Sequence, residues 1–302
     1  MKRDVALVLS SGGARGYAHV GAIKVLERYG FRITSIAGTS MGALVGGIYA
    51  TGRLNAFEEW ANSLDIMEVL KLTDFTISKK GLVKGKKVIE KIKEIVPERN
   101  IEDLNIPFCA VATDILDGTE ALFTKGNLYE AVRASISIPT VFQPHRIGKR
   151  YFVDGGLINP IPVNRVKRSD NDILVVVDVS APIPYDKKTV DAEKYNDSRY
   201  SEQIRIIREK LNNLIPSRKE NDEDISIFNL SNMSIGTMMR RISELTLEKH
   251  RPDLLISVSK ESFSTYDFYK AAEIINEGEE AALRALKQNE TFIQTSGVPG
   301  SD

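Results

Sequence analysis

Residues 33–42 read Ile33-Thr34-Ser35-Ile36-Ala37-Gly38-Thr39-Ser40-Met41-Gly42, and this stretch is the strongest indication of the fold. Its first five residues have the composition of a buried strand, and the residues from Met41 to Ala50 that of a helix. The G-x-S-x-G turn between them is the strand–turn–helix arrangement of a nucleophile elbow. Its two glycines permit a tight turn, and the start of the helix favours negative charge. The pattern predicts an exposed, activated serine at Ser40.

A second glycine-rich segment, Ser10-Ser11-Gly12-Gly13-Ala14-Arg15-Gly16, lies between an apolar run, Val5–Leu9, and a helical pattern, Tyr17–Tyr29. Such a loop presents free backbone N–H groups to an anion or an oxyanion. It is not a dinucleotide-binding fingerprint, because Ser11 stands at the first glycine position and no acidic residue ends the second strand. We therefore expect either an oxyanion hole or a structural turn.

The third segment, Asp154-Gly155-Gly156, follows a strand-like piece, Arg150–Val153. Its paired glycines allow a sharp turn that can expose the carboxylate of Asp154, although an Asp-Gly pair is often a plain turn. Together the three segments supply the parts of an acyl-transfer site, namely a nucleophile, a set of oxyanion donors and a base.

Strand-like and helical patterns alternate along the chain, which predicts an α/β fold with a mainly parallel sheet and helices on both faces. The strand-like runs are Val5–Leu9, Ile33–Ala37, Pro107–Thr113, Ile173–Val179 and Leu254–Val258. The helical patterns are Tyr17–Tyr29, Met41–Ala50, Lys86–Val96 and Phe268–Leu286. Glu120–Thr124 and Arg150–Val153 are predicted to be arms of hairpins.

The chain is expected to form one domain over residues 1–288, with an insertion at about 182–229 and a disordered tail at 289–302. The insertion is rich in charge and poor in strand patterns, and the tail has no periodicity. The insertion is not interpreted as a second domain, because the strand-like run Leu254–Val258 and a further helix follow it.

The composition excludes several classes of protein. The 302 residues include 41 Lys plus Arg and 41 Asp plus Glu, so no basic excess favours nucleic acid. The single cysteine, Cys109, excludes an internal disulfide and a cysteine-rich zinc site, and three histidines make a histidine-rich metal centre unexpected. Neither a metal nor a cofactor is expected. The first apolar run is too short for a signal peptide or a spanning helix, so we expect a cytoplasmic protein.

In combination, the three segments resemble the patatin-like phospholipase family. Ala134-Ser135-Ile136-Ser137-Ile138-Pro139 is similar to a further pattern of that family. The resemblance is good over residues 5–165 and weaker to about residue 285. It implies a three-layer patatin-like fold and a lipid acyl hydrolase that uses a Ser–Asp dyad and no metal.

The resemblance also implies roles for individual residues. Ser40 is the nucleophile, Asp154 the base, and the loop Gly12–Gly16 the oxyanion hole. Ser11, where many members have another glycine, is a departure that bears on the backbone freedom of this loop. Arg15 is expected to align the loop rather than to meet an anionic substrate group.

Two other functions remain open. A Ser-Asp-His triad would use Ser40, Asp154 and His250 in the chain order of an α/β-hydrolase. Only 37 residues precede the G-x-S-x-G turn, however, which leaves room for two strands before it. The other alternative is a non-catalytic adaptor or regulator on the same fold, against which the intact serine and aspartate argue. Packing or surface roles are expected for His19 and His145.

The expected substrate is a lipid or another fatty-acyl ester, with transient contact to a membrane surface. An acyl chain needs an apolar cleft, and its candidate walls are Ile66–Leu72 and the helical stripe in Met233–Leu247. A stripe at this spacing is more often part of a plain core. The sequence leaves open which ester is cleaved, at which position, and whether the protein forms oligomers.

Overall fold

The computed structural model describes residues 3–72, 85–139, 141–185 and 227–289. Within them, eight strands form one sheet. The strands are β1 (Arg3–Leu9), β2 (Phe31–Thr39), β3 (Phe108–Asp114), β4 (Thr119–Phe123), β5 (His145–Ile147), β6 (Arg150–Asp154), β7 (Ile173–Ala181) and β8 (Leu254–Ser259). The helices are α1 (Ala18–Arg28), α2 (Met41–Ala50), α3 (Leu54–Ser63), α4 (Ile66–Leu72), α5 (Lys86–Ile95), α6 (Leu128–Ser135), α7 (Ile227–His250) and α8 (Ala271–Gln288).

The sheet is mixed and mostly parallel, as the alternating patterns predict. Its order is β5-β6-β3-β2-β1-β7-β8, and β4 also pairs with β3. The five neighbouring strands β3, β2, β1, β7 and β8 are parallel to one another. The strands β4, β5 and β6 pair in antiparallel fashion. Both predicted hairpins are present, one formed by β3 and β4 and the other by β5 and β6.

Alternating residues of the central strands feed two separate cores, which makes the architecture three-layered. Leu7 and Leu9 of β1 point into the larger core with α1, α2, α3, α5 and α8. Ala6 and Val8 point to the opposite face, where they meet Val163 and, at the margin, Leu247 of α7. Because successive side chains of a strand alternate between faces, the apolar run of β1 reflects burial on both sides.

Some elements were not predicted from the sequence, and some predictions fall outside the described residues. The helices α3, α4 and α6 were missed. Asn127 precedes α6, and its side chain caps the helix by accepting the N–H groups of Tyr129 and Glu130, at 2.9 and 3.1 Å. Of the predicted insertion at about 182–229, residues 186–226 are outside the described part of the chain, as are residues 290–302 of the predicted tail. The single-domain boundary stays a prediction.

His19 has a packing role in α1. It is fully buried, and its Nε2 lies 2.9 Å from the carbonyl oxygen of Ser10, just before the glycine loop. Burial lowers the pKa of His19 to about 4, and the contact with the Ser10 carbonyl acts in the opposite direction. The imidazole is therefore neutral in the folded protein at neutral pH, and acid must charge it inside the core.

Acid should destabilise the fold through His19. A pKa depressed from 6.5 to about 4 gives a contribution to stability that is present above pH 6.5 and lost as the pH falls towards 4. The full loss is about 3 kcal/mol. We expect His19→Gln to flatten this part of the pH dependence, measured by urea unfolding at pH 7 and pH 4.5. His145→Gln, at a half-buried histidine, is the control; an equal flattening in both variants would contradict the assignment.

Candidate active site

The two strands that carry the site meet end to end against β3. One edge of this part of β3 is occupied by β4. The other edge pairs first with β2, whose Thr39 lies opposite Val111, and then with β6, whose Asp154 lies opposite Ala112. Since β2 and β6 run in opposite directions, their carboxyl ends arrive at neighbouring positions. Ser40 is thereby brought to Asp154 across 114 residues of sequence.

Ser40 lies in the sharp turn that the G-x-S-x-G pattern predicts. Its φ of 55° and ψ of −122° are unfavourable for a residue with a side chain. Its carbonyl oxygen accepts the N–H of Leu44 at 3.1 Å, so α2 begins immediately. A Cβ on Gly42 would lie 2.2 Å from the carbonyl oxygen of Leu9, and one on Gly38 would lie 2.4 Å from that of Gly42. Both glycines are thus required by close approach of the backbone.

The hydroxyl of Ser40 donates a hydrogen bond to Oδ2 of Asp154. The other carboxylate oxygen, Oδ1, accepts the N–H of Gly156 at 2.7 Å, within the turn that the two glycines after Asp154 allow. Gly155 lies under this turn, where a Cβ would come 2.3 Å from the carbonyl oxygen of Val111. Ser40 and Asp154 are 3% and 5% exposed. The pair is therefore almost removed from water before any ligand arrives.

Burial raises the pKa of Asp154 to about 6, and the hydrogen bonds from Ser40 and from the N–H of Gly156 act in the opposite direction. A carboxylate with an ordinary pKa near 4 is a weak base at neutral pH. Desolvation brings the proton affinity of Asp154 closer to that of a histidine while leaving it charged at pH 7. The local environment therefore makes an aspartate suitable as a general base.

Two serines whose roles the sequence did not reveal hold the pair in place. The hydroxyl of Ser135 accepts the backbone N–H of Ser40 at 2.8 Å and donates to the carbonyl oxygen of Val111 at 2.6 Å. The carbonyl oxygen of Ser137 accepts the backbone N–H of Asp154 at 2.9 Å. The only signal in the sequence was the S-x-S spacing before Pro139, which cannot tell which backbone groups the serines bind.

The glycine loop Gly12–Gly16 packs against the first turn of α2. A Cβ on Gly16 would come within 2.2 Å of the side chain of Met41. Gly13 has a φ of 57°, in the region that favours glycine, and borders the same pocket as Ser40. The structure thus places the predicted loop beside Ser40.

The first N–H groups of this loop differ in their availability. The N–H of Ala14 donates to the carbonyl oxygen of Thr265 at 2.8 Å, so it is already used. Within the described residues, the N–H groups of Gly12 and Gly13 make no hydrogen bond. A backbone donor in such a position is available to a ligand, so Gly12 and Gly13 are better placed than Ala14 to act as oxyanion donors.

Arg15 is engaged with the protein itself. Its guanidinium donates to the carbonyl oxygens of Val179 at 3.0 Å, Phe263 at 3.2 Å and Lys260 at 3.3 Å, and to the hydroxyl of Ser180 at 3.1 Å. These acceptors belong to the end of β7 and to the segment that follows β8. The contacts favour the loop-aligning role over contact with an anionic substrate.

Neither Ser40 nor Asp154 is hydrogen-bonded to a histidine in the part of the chain that the structure describes. His250 ends α7 and lines a different cleft together with Asn159. His145 lies in the short strand β5 rather than in the predicted loop, and it contacts a surface glutamate at 2.8 Å. In the same residues, no group of three or more His, Cys, Asp and Glu side chains is arranged to hold a metal ion.

An apolar pocket opens beside Ser40. It has an empty volume of about 710 Å³, counting its mouth, and aliphatic and aromatic side chains of α3, α4 and α5 line it. Phe57 and Trp60 are among them, with ring centroids 5.6 Å apart. The predicted wall Ile66–Leu72 is confirmed, since two of its residues face the pocket. The apolar lining suits an apolar ligand.

The second predicted wall, Met233–Leu247, is wrong for this pocket. These residues belong to α7, and none of them lines the pocket beside Ser40. The helix lies instead over the turn after Asp154, where Cε of Met239 would be 2.6 Å from a Cβ on Gly156. The stripe is not a plain core either, because Met238 and Leu245 are 58% and 48% exposed.

Comparison with known proteins assigns the chain to a family. The family model for patatin-like phospholipase matches residues 7–166, which include the glycine loop, Ser40 and Asp154. The chain belongs to the patatin-like phospholipase family. At the level of the family, this membership supports hydrolysis of lipid esters.

Individual relatives agree with this assignment. An uncharacterised NTE family protein of Mycobacterium bovis is 33% identical over 328 residues, covering 94% of this chain and 91% of the relative. Patatin-like phospholipase domain-containing protein 7 of Rattus norvegicus is 31% identical over 201 residues, which is 64% of this chain but 14% of that protein. The crystal structure of VipD from Legionella pneumophila is similar over 95% of this chain and 67% of that chain, with 15% identity and a TM-score of 0.45.

Removing the Ser135 hydroxyl should disturb Ser40 as well as the fold. Ser135→Ala leaves a buried N–H and a buried carbonyl without partners, which costs about 2 kcal/mol of stability. The substitution also removes the hydrogen bond that holds the backbone of Ser40 in its strained conformation. Because the hydroxyl of Ser40 is then less well positioned, we expect hydrolysis of a short-chain aryl ester to fall by more than about tenfold.

The control is Ser35→Ala in β2, five residues before Ser40. The Ser35 hydroxyl is also buried and also donates to a backbone carbonyl oxygen, that of Lys167. It should lose similar stability in urea unfolding and keep its ester hydrolysis within about twofold. Equal loss of activity in the two variants would show that Ser135 acts only through general stability.

Proposed function

We propose that the protein hydrolyses carboxylic ester bonds of lipids, as a phospholipase A, lysophospholipase or carboxylesterase, with Ser40 as the nucleophile and Asp154 as the base. The observation that carries this proposal is the hydrogen bond from the Ser40 hydroxyl to the buried Asp154 carboxylate at an apolar pocket. Membership of the patatin-like phospholipase family supports the reaction class. A cytoplasmic location with peripheral membrane contact belongs to the same proposal.

The first half-reaction forms an acyl-enzyme. Charged Asp154 accepts the proton of the Ser40 hydroxyl while the serine oxygen attacks the ester carbonyl carbon. The oxygen that becomes negative meets the N–H groups of Gly12 and Gly13, each of which contributes about 3 kcal/mol. When the intermediate collapses, the bond to the alcohol oxygen breaks, and Asp154 returns the proton to that oxygen.

The second half-reaction releases the fatty acid. Water attacks the ester carbonyl on Ser40 and gives one proton to Asp154. Collapse of this intermediate breaks the bond to the serine oxygen, which takes the proton back from Asp154. One ester and one water thus become one acid and one alcohol, and no step requires a metal or a cofactor.

The pocket supports a fatty-acyl group as the part of the substrate that enters the protein. Its lining is aliphatic and aromatic apart from the groups next to Ser40. Burial of an acyl chain gains about 0.8 kcal/mol per methylene group, whereas the same space would leave a polar head group without hydrogen bonds. We therefore place the acyl chain in the pocket and the alcohol portion of the ester towards solvent.

The two alternatives make different claims about the same residues. A triad would need a histidine at the carboxylate or at the serine, and His250 is hydrogen-bonded to neither Ser40 nor Asp154 in the described part of the chain. A non-catalytic adaptor would not need an activated serine. Covalent labelling of Ser40 by a fluorophosphonate tests that alternative, since the reagent needs an activated hydroxyl.

Substitution separates the dyad from the triad. We expect Ser40→Ala to abolish hydrolysis, and Asp154→Asn to lower kcat/KM by orders of magnitude, because a neutral amide cannot take the proton. His250→Ala should change kcat/KM by less than about threefold, whereas loss of a triad histidine costs on the order of a million-fold in kcat in the subtilisin series. The measurement is kcat/KM on a short-chain aryl ester. Collapse of this value in folded His250→Ala would overturn the dyad.

The rate should depend on pH through Asp154. With a pKa of about 6, the base is charged above pH 6, so kcat/KM should level off there and fall about tenfold per pH unit below it. Leu44→Ala, in the pocket wall, is the control. It should change KM for long acyl chains and leave the inflection unmoved. A profile that stays flat down to pH 4.5 would exclude Asp154 as the base.

A further inference from the structure

Two exposed apolar features lie at the carboxyl-terminal end of the parallel strands, where the site opens. The first is the turn between β3 and β4, where Ile115 and Leu116 are 47% and 65% exposed. Other residues build this turn, since Oδ1 of Asp114 accepts the N–H of Leu116 at 3.1 Å and Gly118 supplies the φ of 65°. Turn positions that need no apolar side chain are normally polar, so the two aliphatic residues have no evident role in the fold.

The second feature is the first half of α7. Leu230, Met233 and Met238 are 53%, 61% and 58% exposed. Residues 227–239 contain no Asp, Glu, Lys or Arg, although such residues make up 27% of the chain. A helix face that is solvated in the working state of a protein usually carries charge. Exposed Leu230, Met233 and Met238 on a stretch without charged residues therefore resemble a surface that another molecule covers.

Both features project beyond the level of the site on the same side. β3 passes the end of β2 at Val111 and continues to the turn at Ile115, four residues or about 13 Å further on. α7 crosses the level of the site at Met239, beside Gly156. The chain after α7 returns to the opposite end of the parallel strands, their amino-terminal end, where the carboxylate of Asp253 accepts the N–H of Leu174 at 2.7 Å. The first half of the helix therefore extends past the site, by about 18 Å at its start.

Positive charge accompanies the first feature. The adjoining hairpin of β5 and β6 presents Arg146, Lys149 and Arg150 to solvent. Arg150 is paired with Asp114 at 3.2 Å and with Asp117 at 3.7 Å, so Arg146 and Lys149 are the cations that supply the positive rim. The half-exposed ring of Tyr151 lies under the guanidinium of Arg146, with 5.7 Å between the ring centroid and Cζ. Aliphatic tips, an aromatic ring and a cationic rim are the composition of a surface that enters the boundary of an anionic bilayer.

We propose that the β3–β4 turn and the first half of α7 together form a docking surface for an anionic lipid bilayer. Ile115 and Leu116 enter the boundary between head groups and acyl chains, as do Met233 and Met238, while the cations of the β5–β6 hairpin meet lipid phosphates. None of the helices that the structure describes is long and apolar enough to cross a bilayer. Docking brings the mouth of the pocket to the lipid and does not itself require hydrolysis.

The test measures vesicle binding in a Ser40→Ala background, so that the lipids stay intact. Co-sedimentation with phosphatidylcholine vesicles, with and without phosphatidylglycerol, should show binding to the anionic vesicles that weakens as salt rises. The double substitution Ile115→Ser with Leu116→Ser should weaken this binding by about tenfold or more. Met233→Ser with Met238→Ser should have a similar effect. Leu255→Ser, at a residue of β8 that is 37% exposed, is the control and should bind normally.

Further measurements separate this proposal from the proposed function. In the active protein, the same double substitutions should leave hydrolysis of a soluble aryl ester within about twofold and the melting temperature unchanged. Absence of vesicle binding, or an equal loss in Leu255→Ser, would overturn the docking surface while leaving the hydrolase intact. A wild-type dimer that the double substitutions convert to monomers would assign the surface to a second copy of the chain and also overturn the proposal.

Discussion

The site depends on one constraint, which is that β2 and β6 share a single edge of β3. A strand has two edges, and β4 takes one of them along this part of β3. The parallel β2 and the antiparallel β6 must then divide the other edge, and the point where they meet is the point where Ser40 and Asp154 touch. Residues 114 positions apart are joined in this way without any long loop reaching across the sheet. Strand pairing therefore sets where the two residues meet.

The same arrangement works against the stability of the fold. Burial raises the pKa of Asp154 to about 6, so the folded state binds its proton more tightly than the unfolded chain does. The contribution of this group to stability is fully present below its ordinary pKa of 3.8 and is lost as the pH rises through 6. Ser40 adds backbone strain at a positive φ. Strain and desolvation persist because the hydroxyl of Ser135 holds Ser40 and the carbonyl oxygen of Ser137 holds Asp154 in place.

Much of the fold and the core of the site could be predicted from the sequence. The central strands are buried on both faces, so they appear in the sequence as continuous apolar runs. The turn at Ser40 is recognisable because close approach of the backbone requires glycine at positions 38 and 42. The roles of Ser135 and of the Ala14 N–H could not be predicted, because they depend on backbone groups brought together by pairing across the sheet. The stripe in α7 was misjudged as a pocket wall because periodicity shows that a helix has an apolar face, but not what that face contacts.

The glycine loop draws its support from the far end of the chain. The N–H of Ala14 is held by Thr265, and Arg15 binds the carbonyl oxygens of Lys260 and Phe263, whereas the family model ends at residue 166. The stretch that identifies the family is therefore not a module that could be transplanted into another protein with its chemistry intact. A graft or fusion that stops after the last matched residue would keep Ser40 and Asp154. It would lose the hydrogen bonds from the segment after β8 that hold the glycine loop beside them.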